Sequence, residues 1–132
     1  MPGNNASHAE SRDIAVTAAR AAAAKQARDV AILDVHGLIV ITDYFVIASG
    51  ETDRQVKTIL EEVERAVRDL GEKPVRREGD AESGWVLLDY IDVVVHVFAH
   101  EEREYYDLER LWRDAPRLGW NGSEQAAAGS LD

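Results

Sequence analysis

The sequence predicts an α/β fold in which a mixed β-sheet is covered by helices. Three features carry this prediction: short β-branched apolar runs, apolar residues repeating at helical spacing, and the alternation of these segments along the chain. A length of 132 residues suffices for one domain with a single core. We expect that domain at residues 9–115, between disordered segments at residues 1–8 and 116–132.

The predicted order is helix, two strands, helix, edge strand, hairpin and helix. An Ala-rich helix over Ala9–Arg28 opens the domain, because alanine has the highest helix propensity. Leu38–Ile41 is either a short strand extension or part of a connection. The predicted strands are Val30–Val35, Tyr44–Ala48, Lys73–Arg77, Trp85–Asp89 and Val93–Phe98.

Two further helices are predicted by their apolar spacing. Thr52 and Gln55 form a capping box ahead of the first, and Gly71 occupies a plausible end position. The apolar face of that helix comprises Val56, Ile59, Leu60, Val63, Val67 and Leu70. The last helix is expected over Glu101–Asp114, and its apolar face comprises Tyr105, Leu108, Leu111 and Trp112.

Composition restricts the class of partner. The net charge of −10 disfavours binding to phosphate backbones, which depends on Lys and Arg, and instead favours a basic protein partner or none that is charged. The absence of cysteine excludes disulfides and thiolate metal sites. No apolar run approaches the roughly 20 residues of a membrane span, and the N-terminus lacks a signal-peptide layout. We therefore expect a cytoplasmic protein without membrane contact.

Candidate metal chemistry centres on two residue pairs. His96 and His100 have H-x-x-x-H spacing, but in a strand such residues stand about 13 Å apart, too far for one metal ion. Asp89 and Asp92 either serve as metal-binding carboxylates or cap a turn, and their spacing differs from the D-x-D pattern of two-metal transferases. Neither pair predicts a metal site or a cofactor.

Three stretches together resemble the ribosomal silencing factor family, also called Iojap-related proteins. They are ITDYFVIASGETDRQVKTI (Ile41–Ile59), GWVLLDYIDVVVHVF (Gly84–Phe98) and EREYYDLERLW (Glu102–Trp112). With Ala9–Val35 the resemblance covers roughly the middle four-fifths of the chain. It implies an α/β fold related to nucleotidyltransferases but without their catalytic set, and so a protein that is not an enzyme.

The resemblance also implies a function. Family members are expected to bind protein fourteen of the large ribosomal subunit, a basic protein, and to block joining of the small subunit sterically, which represses translation. It is compatible with a homodimer formed at exposed sheet edges. The competing hypothesis is a nucleotidyltransferase-like, metal-dependent enzyme that uses Asp89 or Asp92.

The second motif carries the predicted docking region. Trp85 is expected as an apolar anchor, although an indole at a strand entry is as often part of the core. The full set of predicted partner-binding residues is Trp85, Asp89, Tyr90, Asp92 and His96. Ile91 departs from the family pattern, in which the D-x-G-D turn has glycine at that position. A β-branched residue there is costly if the turn needs a positive φ.

Overall fold

The computed structural model describes the backbone of residues 2–120 and the side chains of residues 11–120. A short 3₁₀ turn at Ala81–Ser83 precedes the fourth strand. The helices are α1 (Pro2–Ala24), α2 (Asp53–Arg68), α3 (His100–Tyr106) and α4 (Leu108–Leu111). The strands are β1 (Arg28–Asp34), β2 (Tyr44–Gly50), β3 (Arg76–Glu78), β4 (Trp85–Asp89) and β5 (Val93–Ala99).

The five strands form one mixed sheet in the order β1-β2-β5-β4-β3. The central strands β2 and β5 run parallel, whereas every other neighbouring pair is antiparallel. The predicted fold class, a mixed sheet with helices packed on it, is therefore confirmed. The further expectation of a nucleotidyltransferase-like topology stays a prediction.

Helices α1 and α2 cover one face of the sheet. The small side chains of Ala15, Ala18 and Ala19 are fully buried, which lets α1 approach its neighbours closely. Helix α2 buries the predicted apolar stripe from Val56 to Val67, but the prediction is wrong for Leu70, which lies beyond the helix and is 47% exposed. Thr52 caps the helix by accepting a hydrogen bond from the amide of Gln55 at 3.1 Å. The strands contribute β-branched residues such as Val95 to this layer, which is the main core.

The other face of the sheet carries a second, smaller core. Phe45, Ile47 and Phe98 are buried there, and Leu108 and Trp112 from the C-terminal segment pack against them. The described helices leave the β4 end of this face partly exposed. We call this exposed part the open face; its residues are Arg76, Glu78, Trp85, Leu87, Asp89 and Val94.

The C-terminal elements differ from those predicted. The helix expected over Glu101–Asp114 is broken, because Asp107 adopts a left-handed conformation with φ of 48° between α3 and α4. The predicted apolar face is consequently wrong in part, since Tyr105 is 81% exposed and Leu111 is 70% exposed. Leu38–Ile41 belongs to the connection between β1 and β2.

The prediction of a disordered tail is wrong for residues 116–120. The amide of Leu118 donates to the carbonyl of Ile32 at 2.9 Å, and the indole Nε1 of Trp120 donates to the carbonyl of Val30 at 3.2 Å. This segment stays on the fold because both side chains also pack against the main core. Residues 121–132 lie outside the described part, so the prediction for them stays a prediction. At the other end of the chain, α1 begins at Pro2 and ends at Ala24, whereas a helix over Ala9–Arg28 after a disordered segment was predicted.

Candidate docking surface

Alternation along β4 selects the residues of the open face. Trp85, Leu87 and Asp89 point to this side, whereas Val86 and Leu88 enter the main core. On β5 the cross-strand neighbours are Phe98 for Trp85, His96 for Leu87 and Val94 for Asp89. Three of the five predicted docking residues, Trp85, Asp89 and His96, therefore share one face of a single hairpin.

Trp85 is held in place by backbone and ring contacts. Gly84, at φ of 84°, ends the 3₁₀ turn, and its carbonyl accepts a hydrogen bond from the amide of Ala99 at 2.9 Å. The indole stacks on Phe98 with ring centroids 5.0 Å apart and contacts Tyr106 at 4.5 Å. Trp85 is only partly buried, so both sequence-based hypotheses apply: it belongs to the smaller core and also reaches the surface.

His96 lies beneath the open face rather than on it. Its side chain is 6% exposed, and its Nδ1 accepts a hydrogen bond from the indole Nε1 of Trp85 at 3.1 Å. Because Nδ1 is the acceptor, the neutral ring carries its proton on Nε2. Burial lowers the pKa of His96 to about 4. The chain itself covers the ring, and the contact of His96 with a partner stays a prediction.

Tyr90 is on the opposite side of the sheet from Trp85, Asp89 and His96. It follows Asp89 in the strand alternation, and its side chain is 6% exposed within the main core under the helices. Burial raises its pKa to about 12. The main core therefore covers Tyr90, and its predicted role in partner binding stays a prediction. The alternation of Val86, Leu88 and Tyr90 in the sequence is the signal that could have placed it correctly.

Asp89, Ile91 and Asp92 form the tight turn of the β4–β5 hairpin. The carboxylate Oδ1 of Asp89 accepts a hydrogen bond from the amide of Ile91 at 2.8 Å. The amide of Asp92 donates to the carbonyl of Tyr90 at 3.0 Å, and Ile91 between them has φ of 76°. An i to i+2 bond around a residue with this φ is typical of the rare, strained γ-turn. The turn thus requires a positive φ where the sequence has isoleucine.

The side-chain contacts of Asp89 fit turn capping better than metal binding. Oδ2 of Asp89 pairs with Arg76 at 3.2 Å, so both oxygens of this carboxylate have partners within the chain. The carbonyl of Asp92 accepts hydrogen bonds from the amides of Asp43 and Tyr44, which ties the hairpin to β2. Among the described residues, no group of three or more His, Asp or Glu side chains could hold a metal ion.

The structure adds an apolar loop that the sequence reasoning did not assign to the surface. The connection between β1 and β2 exposes Leu38 at 50%, Val40 at 100% and Ile41 at 75%. It borders the open face, where Ile41 and Ile91 line a cavity of about 250 Å³ together with Leu87. The apolar run LIVI between turn residues was a signal for this loop, but periodicity alone could not separate it from a strand.

Comparison with known proteins gives the family. A family model described as ribosomal silencing factor during starvation matches residues 8–130. The chain belongs to the ribosomal silencing factor family. It is 44% identical over 105 residues to the ribosomal silencing factor RsfS of Bacillus subtilis (strain 168), covering 80% of this chain and 89% of that protein. It is 36% identical over 110 residues to the chloroplastic protein Iojap of Zea mays, covering 81% of this chain and 46% of that protein.

Solved structures agree with this membership of the silencing factor family. A crystal structure of a Chromobacterium violaceum protein superimposes with a TM-score of 0.73 at 35% identity, covering 76% of this chain and 84% of that chain. A Bacillus halodurans protein gives a TM-score of 0.67 at 38% identity, with coverages of 78% and 93%. Within residues 2–120, no helix combines the length and apolar character needed to cross a membrane.

Proposed function

We propose that this silencing factor binds the large ribosomal subunit through its open face and the adjoining loop. The partner on the subunit is a basic protein, protein fourteen, and bound silencing factor blocks joining of the small subunit by occupying the contact area. Membership of the silencing factor family supports a role in translation. The observation that carries the proposal is the exposed apolar surface around Ile41 and Leu87.

The exposed apolar residues favour a protein partner. Three exposed apolar side chains occur together beside the open face: Leu38, Val40 and Ile41. Their exposure to solvent does not stabilise the fold. Apolar surface of this kind contributes binding free energy when a partner covers it, at about 25 cal/mol per Å². Trp85 completes the patch as a residue type that often dominates binding energy in interfaces.

The charge of the chain favours a basic partner on a particle that is rich in RNA. A net charge of −10 opposes contact with RNA phosphates and attracts a basic protein patch. The silencing factor would therefore be steered to protein on the subunit surface and away from the surrounding nucleic acid. Since occupancy of the surface is enough to prevent joining, the proposal requires no catalytic group.

Co-sedimentation with purified large subunits tests the docking surface. Ile41→Asp places a charge in the apolar patch, so we expect affinity to fall by about tenfold or more. Leu70→Asp is the matched control, because Leu70 is also an exposed apolar residue, 47% exposed, but lies just beyond α2 on the helix side. It should bind like the unmodified protein.

A subunit-joining assay tests the mechanism. Adding the unmodified protein to large subunits before small subunits should lower the fraction of joined ribosomes in a sucrose gradient. Ile41→Asp should restore joining, and Leu70→Asp should not. Failure of the unmodified protein to pellet with large subunits would overturn the proposed function. Equal binding by both variants would instead move the docking surface away from the loop.

A further inference from the structure

A pocket at the edge of the open face lies between the apolar loop and the hairpin turn. Its volume of about 250 Å³ equals that of about eight water molecules, enough for one long side chain. We call it the hairpin pocket; its walls are Ile39, Ile41, Phe45, Leu87, Ile91 and Val94, and Thr42, Arg76 and Asp89 add polar groups. The site therefore combines apolar walls with a few polar groups.

Ile91 forms a wall of this pocket at a conformational cost. Its φ of 76° is a region that β-branched residues rarely adopt, whereas glycine adopts it freely. Burial within the chain does not offset the cost fully, because the residue is 56% exposed. Such strain tends to persist where it serves binding. The side chain of Ile91 is thus better explained by an external contact than by the stability of the turn.

The charges of Arg76 and Asp89 in the pocket cancel, and Glu78, which pairs with Arg76 but lies outside the pocket, brings the local sum to one negative charge. Arg76 is shared between two carboxylates: its guanidinium lies 3.2 Å from Asp89 and 3.1 Å from Glu78. One cation between two anions leaves a net charge of −1 beside the apolar walls. Arg76 is 58% exposed at its side chain, so it can move toward Glu78 when another cation approaches Asp89.

Thr42 gives a second, independent indication of a ligand. It lines the pocket, is 4% exposed, and its hydroxyl Oγ1 has no hydrogen-bond partner among the described residues. A buried hydroxyl without a partner is costly, and such groups in folded proteins are usually paired with protein, ordered water or a ligand. A hydrogen-bond donor that enters the pocket would satisfy this hydroxyl oxygen.

We propose that the hairpin pocket receives a lysine or arginine side chain of the partner protein. The aliphatic stem lies between Ile41 and Ile91, and the cationic end reaches the carboxylate of Asp89 and the hydroxyl of Thr42. Long basic side chains combine these two properties, an apolar stem and a charged head. The inference rests on the proposed docking through the open face and adds the chemistry of one contact.

A probe experiment tests the pocket without ribosomes. The full chain, labelled at its methyl groups, is titrated with n-butylguanidinium chloride and with n-butanol as the neutral match, at low salt. We expect the methyl signals of Ile41, Leu87 and Ile91 to shift, with the cation binding about two- to fivefold more tightly, as for a partly exposed ion pair. Asp89→Asn, which keeps the turn-capping oxygen, should remove this preference. Equal binding of the two probes, or no shift in these methyl groups, overturns the inference.

Ile91→Gly then tests use of the pocket on the ribosome. We expect this variant to raise the urea midpoint of unfolding, because strain is relieved, and to bind large subunits about tenfold more weakly, because a pocket wall is lost. A loss of binding caused by unfolding cannot give this pair of results. If the unmodified protein pellets with large subunits and Ile91→Gly binds equally well, the pocket inference is overturned and the proposed function stands. If the unmodified protein does not pellet, the proposed function fails, and the probe experiment still decides the pocket.

Discussion

At the scale of single residues, the pair Trp85 and His96 determines what the open face offers a partner. The indole has one polar group, its N–H, and His96 accepts that group within the chain at 3.1 Å. Trp85 therefore presents only its apolar ring to a partner. His96 is 6% exposed and fixes the orientation of the indole through this hydrogen bond. This division of roles could not be seen from sequence, where both residues matched the same motif.

The burial of His96 predicts a loss of stability in acid. The pKa of His96 is about 4 in the folded chain and about 6.5 when unfolded, so between these values only the unfolded chain binds the proton. The free energy of unfolding should therefore fall as the pH drops from about 6.5 to about 4, by up to about 3 kcal/mol.

Urea titrations across this pH range measure the effect, with His96→Asn as the comparison. Asparagine has a side-chain oxygen that can accept the indole N–H and does not titrate, so this variant should lose less stability on acidification. Carboxylates contribute equally to both proteins and cancel in the difference. Parallel stability profiles for the two proteins would show that His96 is not the group responsible.

At the scale of elements, a buried arginine organises the break between α3 and α4. Arg103 is 8% exposed and pairs with Glu109 through two hydrogen bonds of 3.1 and 2.9 Å. It also donates to the hydroxyl of Ser49 at 2.8 Å, which anchors α3 to the end of β2. Burial alone would raise the pKa of Glu109, but the hydrogen bonds and charges of Arg103 and Arg117 outweigh it and lower that pKa.

Removal of Glu109 should therefore destabilise the C-terminal elements. Glu109→Ala leaves the buried guanidinium of Arg103 without its carboxylate, so we expect a loss of about 2–3 kcal/mol in urea unfolding. Glu104→Ala is the control, because Glu104 is exposed on α3, and its effect should stay within about 0.5 kcal/mol. Similar losses in both variants would contradict a specific role for the Arg103–Glu109 pair.

The same elements show what sequence can and cannot predict. Strand β4 has the predicted bounds, and helix α2 buries its predicted stripe from Val56 to Val67, because periodicity reports directly which face is covered. The break at Asp107 could not be predicted, because it depends on hydrogen bonds of Arg103 to residues distant in sequence, such as Ser49. The burial of His96 and the cover supplied by Trp120 likewise depend on contacts between remote segments.

At the scale of the whole molecule, the open face and the helix side differ in composition. The face over α1 and α2 is closed by the main core, and the outer surface of α2 carries charged residues such as Glu61. The open face combines partly exposed apolar side chains with the carboxylates of Glu78 and Asp89. If docking uses the open face, the helix side points away from the basic partner. The affinity for the partner should then depend more on where a charge lies than on the total charge.

Two charge reversals of equal size test this orientation. Glu78→Lys and Glu61→Lys each change the net charge by two units, but only Glu78 lies on the open face; both residues are exposed. We expect Glu78→Lys to weaken binding to large subunits by about three- to tenfold and Glu61→Lys by less than about twofold. The difference in affinity between the two variants should become smaller as salt is raised from about 0.1 M to about 0.5 M. Salt screens the attraction between charges, whose range falls below about 10 Å. Equal weakening by both variants would mean that overall charge, and not the open face, attracts this silencing factor to its partner.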